Sequence, residues 1–85
     1  MIHAHHAQIS EYQRERAVRA VRKVARRLGR AVAAVVRFEQ DGPTRRVEIV
    51  LHAPRQRRLV AEADGRYFGP ALTTAAARLA AQCRR

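Results

Sequence analysis

Two segments of alternating character flank a Gly-Pro pair, and this constrains the fold of the chain more than any other feature. In residues 45–53, RRVEIVLHA, the residues Val47, Ile49, Leu51 and Ala53 fall on one face, and Arg46, Glu48, Val50 and His52 on the other. Residues 31–39, AVAAVVRFE, alternate in the same way, with Val32, Ala34, Val36 and Phe38 set against Ala33, Val35, Arg37 and Glu39. Asp41-Gly42-Pro43 supplies turn chemistry between the two runs. The pattern predicts an antiparallel hairpin with one buried face and one wet face, the latter carrying Arg46, Glu48 and His52. Pro54 ends the second run, and Arg55-Gln56-Arg57-Arg58 reads as a basic turn. Residues 59–64, LVAEAD, then predict a further strand with Leu59, Ala61 and Ala63 inward and Glu62 outward.

Helical periods lie on either side of these strands. Ser10-Glu11-Tyr12-Gln13 fits a capping box, with a hydroxyl for the orphan N–H at the third helical position and Gln13 reaching back. Ala17, Val18, Val21, Val24, Ala25 and Leu28 follow as one apolar stripe, and Gly29 suits a left-handed C-cap. Pro70 is tolerated only in a first turn, so a second helix is expected to begin within residues 67–69. Its buried stripe would be Phe68, Leu72, Ala75, Ala76, Leu79 and Ala80. Ahead of the first helix, residues 2–9 read as a short strand, although three histidines are poor strand formers. The expected fold is α+β in the order β-α-β-β-β-α, a four-stranded sheet with two helices packed on one face. The length, 85 residues, fits one domain over 1–85, and a chain of that size buries only about 60–65% of its unfolded surface.

Charge narrows the function. Eighteen Lys and Arg oppose seven Asp and Glu, a net charge of +11, and Lys23 is the only lysine. Such an excess calls for a polyanionic partner, with nucleic acid first and an anionic membrane second. On a helical projection Arg16, Arg19, Arg22, Lys23, Arg26, Arg27 and Arg30 fall within an arc of about 140°. A merely solvated face mixes signs for solubility and i,i+4 pairing. This one has no acid beyond Glu15, which favours a phosphate backbone as its counter-surface. The apolar residues are consumed by the sheet and the two stripes, so no apolar face is left for a bilayer and no membrane partner is expected.

Other chemistry finds little support. There is no Gly-rich phosphate loop, G-x-S-x-G, H-E-x-x-H or paired carboxylates, and Ser10 is accounted for by capping, so no enzyme activity and no cofactor are implied. His3 and His5 would share a strand face, but two imidazoles with no Cys or carboxylate beside them make a poor metal site. His3, His5 and His6 are read as polar strand residues, and no metal is expected. Cys83, the single cysteine, excludes an internal disulfide and reads as a small apolar filler in a reducing cytoplasm. The start MIHAHHAQIS has no apolar core of signal-peptide length, so export is not expected. Aromatic residues are confined to Tyr12, Phe38, Tyr67 and Phe68, and the wet sheet face offers none for base stacking in the manner of single-strand readers.

The chain resembles the ribosome hibernation promoting factors, also called ribosome-associated inhibitors, in element order and over nearly its whole length. Residues 46–54, RVEIVLHAP, are similar to that family's third strand, Val-Glu-Val-x-Ile/Leu-His-x-Pro. Residues 61–65, AEADG, resemble its fourth strand and acidic turn, and ALTTAAARLAAQ resembles its last helix. Gln8-Ile9-Ser10 is similar to its first strand ending at a Ser/Thr cap. The chain departs from the family in the Arg-rich turn after Pro54 and in Tyr67, which stands where the family often caps the last helix with Asp. It also stops at Arg85, short of the dimer-forming domain of long members.

The resemblance implies a non-catalytic cytoplasmic protein that binds ribosomal RNA of the small ribosomal subunit, between head and body near the decoding centre. There it would displace messenger and transfer RNA and hold idle ribosomes silent, as a monomer on the ribosome. The residues expected to contact phosphate are Arg19, Arg22, Lys23, Arg26 and Arg30 on the first helix, Arg78, Arg84 and Arg85 on the last, and Arg55, Arg57 and Arg58 in the turn. The alternatives are a general binder of double-stranded or structured RNA, since helix, three strands and helix is also that module's order, and an oligomeric interaction or metal-binding protein.

Overall fold

The computed structural model describes residues 2–5, 9–28, 33–52 and 58–83. Within them the chain runs β1 (Ile2–His5), α1 (Glu11–Leu28), β2 (Ala33–Asp41), β3 (Thr44–His52), β4 (Arg58–Gly65) and α2 (Phe68–Cys83). Gly29, Arg30, His6, residues 53–57, Arg84 and Arg85 lie outside the described residues, as do the side chains of Arg27, Leu28 and Cys83.

The hairpin at the centre follows from its turn. Asp41 pairs with Thr44, so Gly42-Pro43 is a two-residue loop. Gly42 has φ of 59°, and proline fixes its own φ near −65°. A positive φ at the first central position only is the type II′ requirement, whose twist matches that of the flanking strands. Asp41, expected in the turn, is thus the last residue of β2. The register then pairs Val36 with Ile49, Phe38 with Val47 and Ala34 with Leu51 on the inner face. β4 continues the meander antiparallel to β3, with Ala61 opposite Ile49 and Ala63 opposite Val47.

The expected four-stranded sheet needs correction in its make-up, since β1 joins it only as a parallel piece beside β2. The antiparallel sheet has three strands, β2, β3 and β4. β1, described over Ile2–His5, runs parallel along the outer side of β2 with Ile2 opposite Val36 and His5 opposite Glu39, and Ile9, expected to close that strand, is not part of it. The physical reason is the connection. A strand joined to its neighbour through a helix pairs parallel, and here α1 is the crossover, whereas tight turns make the other pairs antiparallel. Ile9 lies beyond β1 and packs against the core. The α+β class is retained.

One core joins the layers. Val36, Phe38, Val47, Ile49, Leu51, Leu59, Ala61 and Ala63 from the sheet meet Phe68, Ala71, Leu72, Ala75 and Leu79 from α2. The Phe38 and Phe68 rings meet edge to face, centroids 5.3 Å apart and planes at 86°, worth about 0.5–1.5 kcal/mol beyond area burial. α2 lies on β3 and β4, while α1 rests chiefly against α2 and enters the core through Ala17 and Val24. The alanines at 71, 75 and 76 allow α2 a close approach to the sheet.

Both ends of the architecture are tied by polar contacts. At the α1 start the Gln13 N–H donates to Ser10 Oγ at 3.1 Å, and the Ser10 N–H donates to Gln13 Oε1 at 3.1 Å, a complete capping box. Along the outer edge of β4, Arg78 Nη1 donates to the Glu62 carbonyl at 2.8 Å and Gln82 Nε2 donates to the Val60 carbonyl at 2.6 Å. A bare strand edge invites pairing with another chain, and α2 covers this one with its own side chains.

Candidate nucleic-acid interface

The amphipathic period of α1 sets the interface. Ala17 is fully buried and Val24 is 4% exposed, so the helix turns that side to the core. The opposite side carries Arg19, Arg22, Lys23 and Arg26, all exposed. Their spacing of i, i+3, i+4 and i+7 makes one stripe, with about 10 Å between its first and last residue at 1.5 Å rise per residue. Among the described residues the ion pairs are Arg37–Glu48 and Arg46–Asp64, each at 3.8 Å and both on the sheet. No carboxylate among them therefore neutralises the α1 stripe within ion-pair distance.

Five of the seven acids lie on other elements, and the two on α1 precede the stripe, Glu15 one turn before Arg19. Glu11 and Glu15 sit in the first turns of α1, where the helix dipole favours negative charge. The remaining acids, Glu39, Asp41, Glu48, Glu62 and Asp64, all lie on the three antiparallel strands. Arg46, His52 and Glu62 are exposed and Glu48 half-buried on the sheet face turned from the helices, as their alternation predicts. Val35, Val50 and Val60 form a cross-strand row on the same face.

The other expected contacts are dispersed. Arg58 opens β4, exposed and opposite His52. Arg78 is exposed on α2, but one of its N–H groups is committed to the Glu62 carbonyl. Arg30, Arg55, Arg57, Arg84 and Arg85 lie outside the described residues. The structure thus brings together Arg19, Arg22, Lys23 and Arg26, and sets Arg58 and Arg78 on other elements.

Arg16 behaves differently from the rest of the basic arc. It is half-buried in the seam between the helices, where Nη2 donates to Thr73 Oγ1 at 2.9 Å. Thr73 in turn donates to the Gly69 carbonyl at 3.1 Å. The Arg16 guanidinium also lies 6.0 Å from the centroid of the Tyr12 ring, and that ring is 64% exposed. Beyond this link the helices part into a groove of about 370 Å³ lined by Ala20, Lys23, Val24, Leu72, Ala76 and Ala77, among others. Angular position on α1 alone does not reveal the seam, because it depends on where α2 lies. The i,i+4 spacing of Tyr12 and Arg16 is its only sign in the sequence.

Among the described residues no group of three His, Cys, Asp or Glu is placed to hold a metal ion, and no helix is long and apolar enough to cross a membrane. Phe38 and Phe68 are core residues, and the exposed aromatics are Tyr12 and Tyr67, neither on the sheet.

Solved structures share the fold. The N-terminal domain of Thermus thermophilus Protein Y gives a TM-score of 0.87 at 20% identity, covering 99% of this chain and 92% of that one. A ribosomal subunit interface protein from Coxiella burnetii gives a TM-score of 0.82 at 12% identity, covering 99% and 91%. At these identities the likeness is one of fold. Comparison with curated proteins finds no match. The sequence pattern described as Sigma 54 modulation protein / S30EA ribosomal protein does match, over residues 1–85, and the chain belongs to that family, in keeping with its resemblance to the hibernation factors.

Proposed function

We propose that residues 1–85 act as one ribosome-binding domain that silences translation without catalysis. The α1 stripe of Arg19, Arg22, Lys23 and Arg26 seats on phosphates of ribosomal RNA in the small subunit. Arg30, Arg58 and Arg78, and the basic residues Arg55, Arg57, Arg84 and Arg85, extend that contact. The domain fills the decoding region that messenger and transfer RNA need, as a monomer, in the cytoplasm. Binding is by backbone neutralisation and shape rather than by base-edge readout.

One observation carries this reading: an exposed, acid-free basic stripe on a chain that belongs to a ribosomal protein family. The partition of charge supports it, since the carboxylates of the sheet lie on other elements than the stripe and leave it to face a polyanion. The likeness in fold to the Protein Y domain is consistent with it.

The test is sedimentation with ribosomes in the presence of excess duplex RNA. Retention on the ribosome is expected. Complete stripping by the duplex would assign the domain to general double-stranded RNA binding instead. The double reversal Arg22→Glu/Arg26→Glu should abolish association while the far-UV circular dichroism is unchanged, and survival of binding would remove α1 from the interface.

A further inference from the structure

We propose that the groove between α1 and α2, bounded at one end by Arg16 with the Tyr12 ring set against it, seats an unpaired nucleotide of the bound RNA. The inference rests on the reading of α1 as the RNA-facing helix and adds a second mode of contact to it.

Position is the first argument. Tyr12 is seven residues before Arg19 and eleven before Lys23, so at 100° per residue it lies within about 20° of both on the helix surface. An exposed aromatic ring thus stands in line with the phosphate-binding stripe, about 10 Å along the axis from Arg19. The ring is also held in place. Arg16 lies against it, and Arg16 is in turn fixed to Thr73, which is fixed to the Gly69 carbonyl. An ordered aromatic loses less freedom on stacking than a loose one.

The groove is the second argument. Its floor is apolar and made of small residues, Ala20, Val24, Leu72 and Ala76, while its charged members are Arg16 and Lys23 and its hydroxyl is Thr73. An apolar floor beneath cations suits a ligand that is flat and apolar at one end and anionic at the other. A nucleotide with its base unstacked has that character, and the about 370 Å³ of the groove accommodates a base. Lys23 belongs to both the stripe and the groove, so a strand whose phosphates run along α1 has the groove within reach of an adjacent base. A base paired within a duplex cannot enter it.

The experiment compares two RNA hairpins, identical except that one carries a single bulged nucleotide, by fluorescence anisotropy at fixed salt. The wild type should prefer the bulged hairpin by about 5- to 150-fold, the range for one base stacked on an aromatic ring. Tyr12→Ala removes the ring that backs Arg16 at the end of the groove. Ala77→Phe fills the groove from an exposed position that leaves the core intact. Each should bring the preference close to unity, with affinity for the unbulged hairpin within about twofold of wild type and the melting temperature unchanged. Equal binding of both RNAs by the wild type overturns the seat. So does a preference that survives Ala77→Phe, since the base would then stack elsewhere. Failure of the underlying reading looks different: Arg22→Glu/Arg26→Glu would leave both affinities unaltered.

Discussion

Arg78 Nη1 lies 2.8 Å from the Glu62 carbonyl, so a side chain of the last helix occupies the open edge of the last strand. Gln82 repeats the arrangement one helical turn later at the Val60 carbonyl, at 2.6 Å. The pair fixes α2 to β4 and leaves less of the β4 edge free to recruit another chain. Substituting both, Arg78→Ala/Gln82→Ala, should cost about 1–3 kcal/mol in urea unfolding. It should also raise the tendency to aggregate on heating, read by light scattering. An unchanged unfolding midpoint would show that water replaces both donors without loss.

The α1 cap offers a stability change that leaves the RNA contacts alone. Ser10→Ala removes the acceptor for the Gln13 N–H and should destabilise the fold by about 0.5–2 kcal/mol. At roughly 4–8 °C per kcal/mol for a domain this small, calorimetry would resolve the shift. Affinity for RNA under conditions where the variant is folded should not move.

Gly42 isolates a backbone effect. A Cβ there would meet nothing within 4 Å, yet φ is +59°. Gly42→Ala should therefore cost about 1–2 kcal/mol from conformation alone. Gly65→Ala, where a Cβ is equally free of neighbours and φ is not in the left-handed region, should cost distinctly less. Equal losses at the two sites, measured by chemical denaturation, would contradict the II′ turn.

Salt dependence separates interface arginines from sheet arginines. Arg22→Gln/Arg26→Gln should lower the slope of log affinity against log salt by about two, one for each phosphate that is no longer neutralised. Arg37→Gln should leave the slope unaltered, since Arg37 is paired with Glu48 on the opposite layer. A slope that falls equally for both variants would mean that RNA wraps the sheet as well.

The thin core makes packing changes severe. Leu79 is fully buried between α2 and the sheet. Leu79→Ala should cost about 2–5 kcal/mol, a large share of the stability of a domain this size. Thermal melting followed by circular dichroism checks it.

Local chemistry is readable from the sequence where one residue decides the outcome. Ser10 and Gln13 specify the cap, and the alternation of Val47, Ile49 and Leu51 specifies the buried face of β3. Pro70 confines the start of α2 to residues 67–69, and the helix begins at Phe68. What is not readable depends on partners distant in the chain. The short parallel β1 is set by the crossover through α1 and by β2, and residues 2–9 carry no pattern that marks its end. The sequence assigns Arg78 to phosphate alone, because nothing near it in the chain indicates that the β4 edge passes beneath. Its angle puts Arg16 on the basic arc, while its burial is fixed by Thr73, 57 residues away. The stripe of Arg19, Arg22, Lys23 and Arg26 is legible because it is internal to one helix.

The placement of five of the seven acids on the strands, and of the arginines and lysine of the stripe without carboxylate partners on α1, makes the described part of the molecule an electric dipole as well as a cation. Near a polyanion such a body rotates before it touches, turning its helical side forward and its hairpin end away. Productive orientation is then found during approach rather than by repeated collision. Added salt should accordingly slow the arrival of the domain on its target as well as weaken its hold.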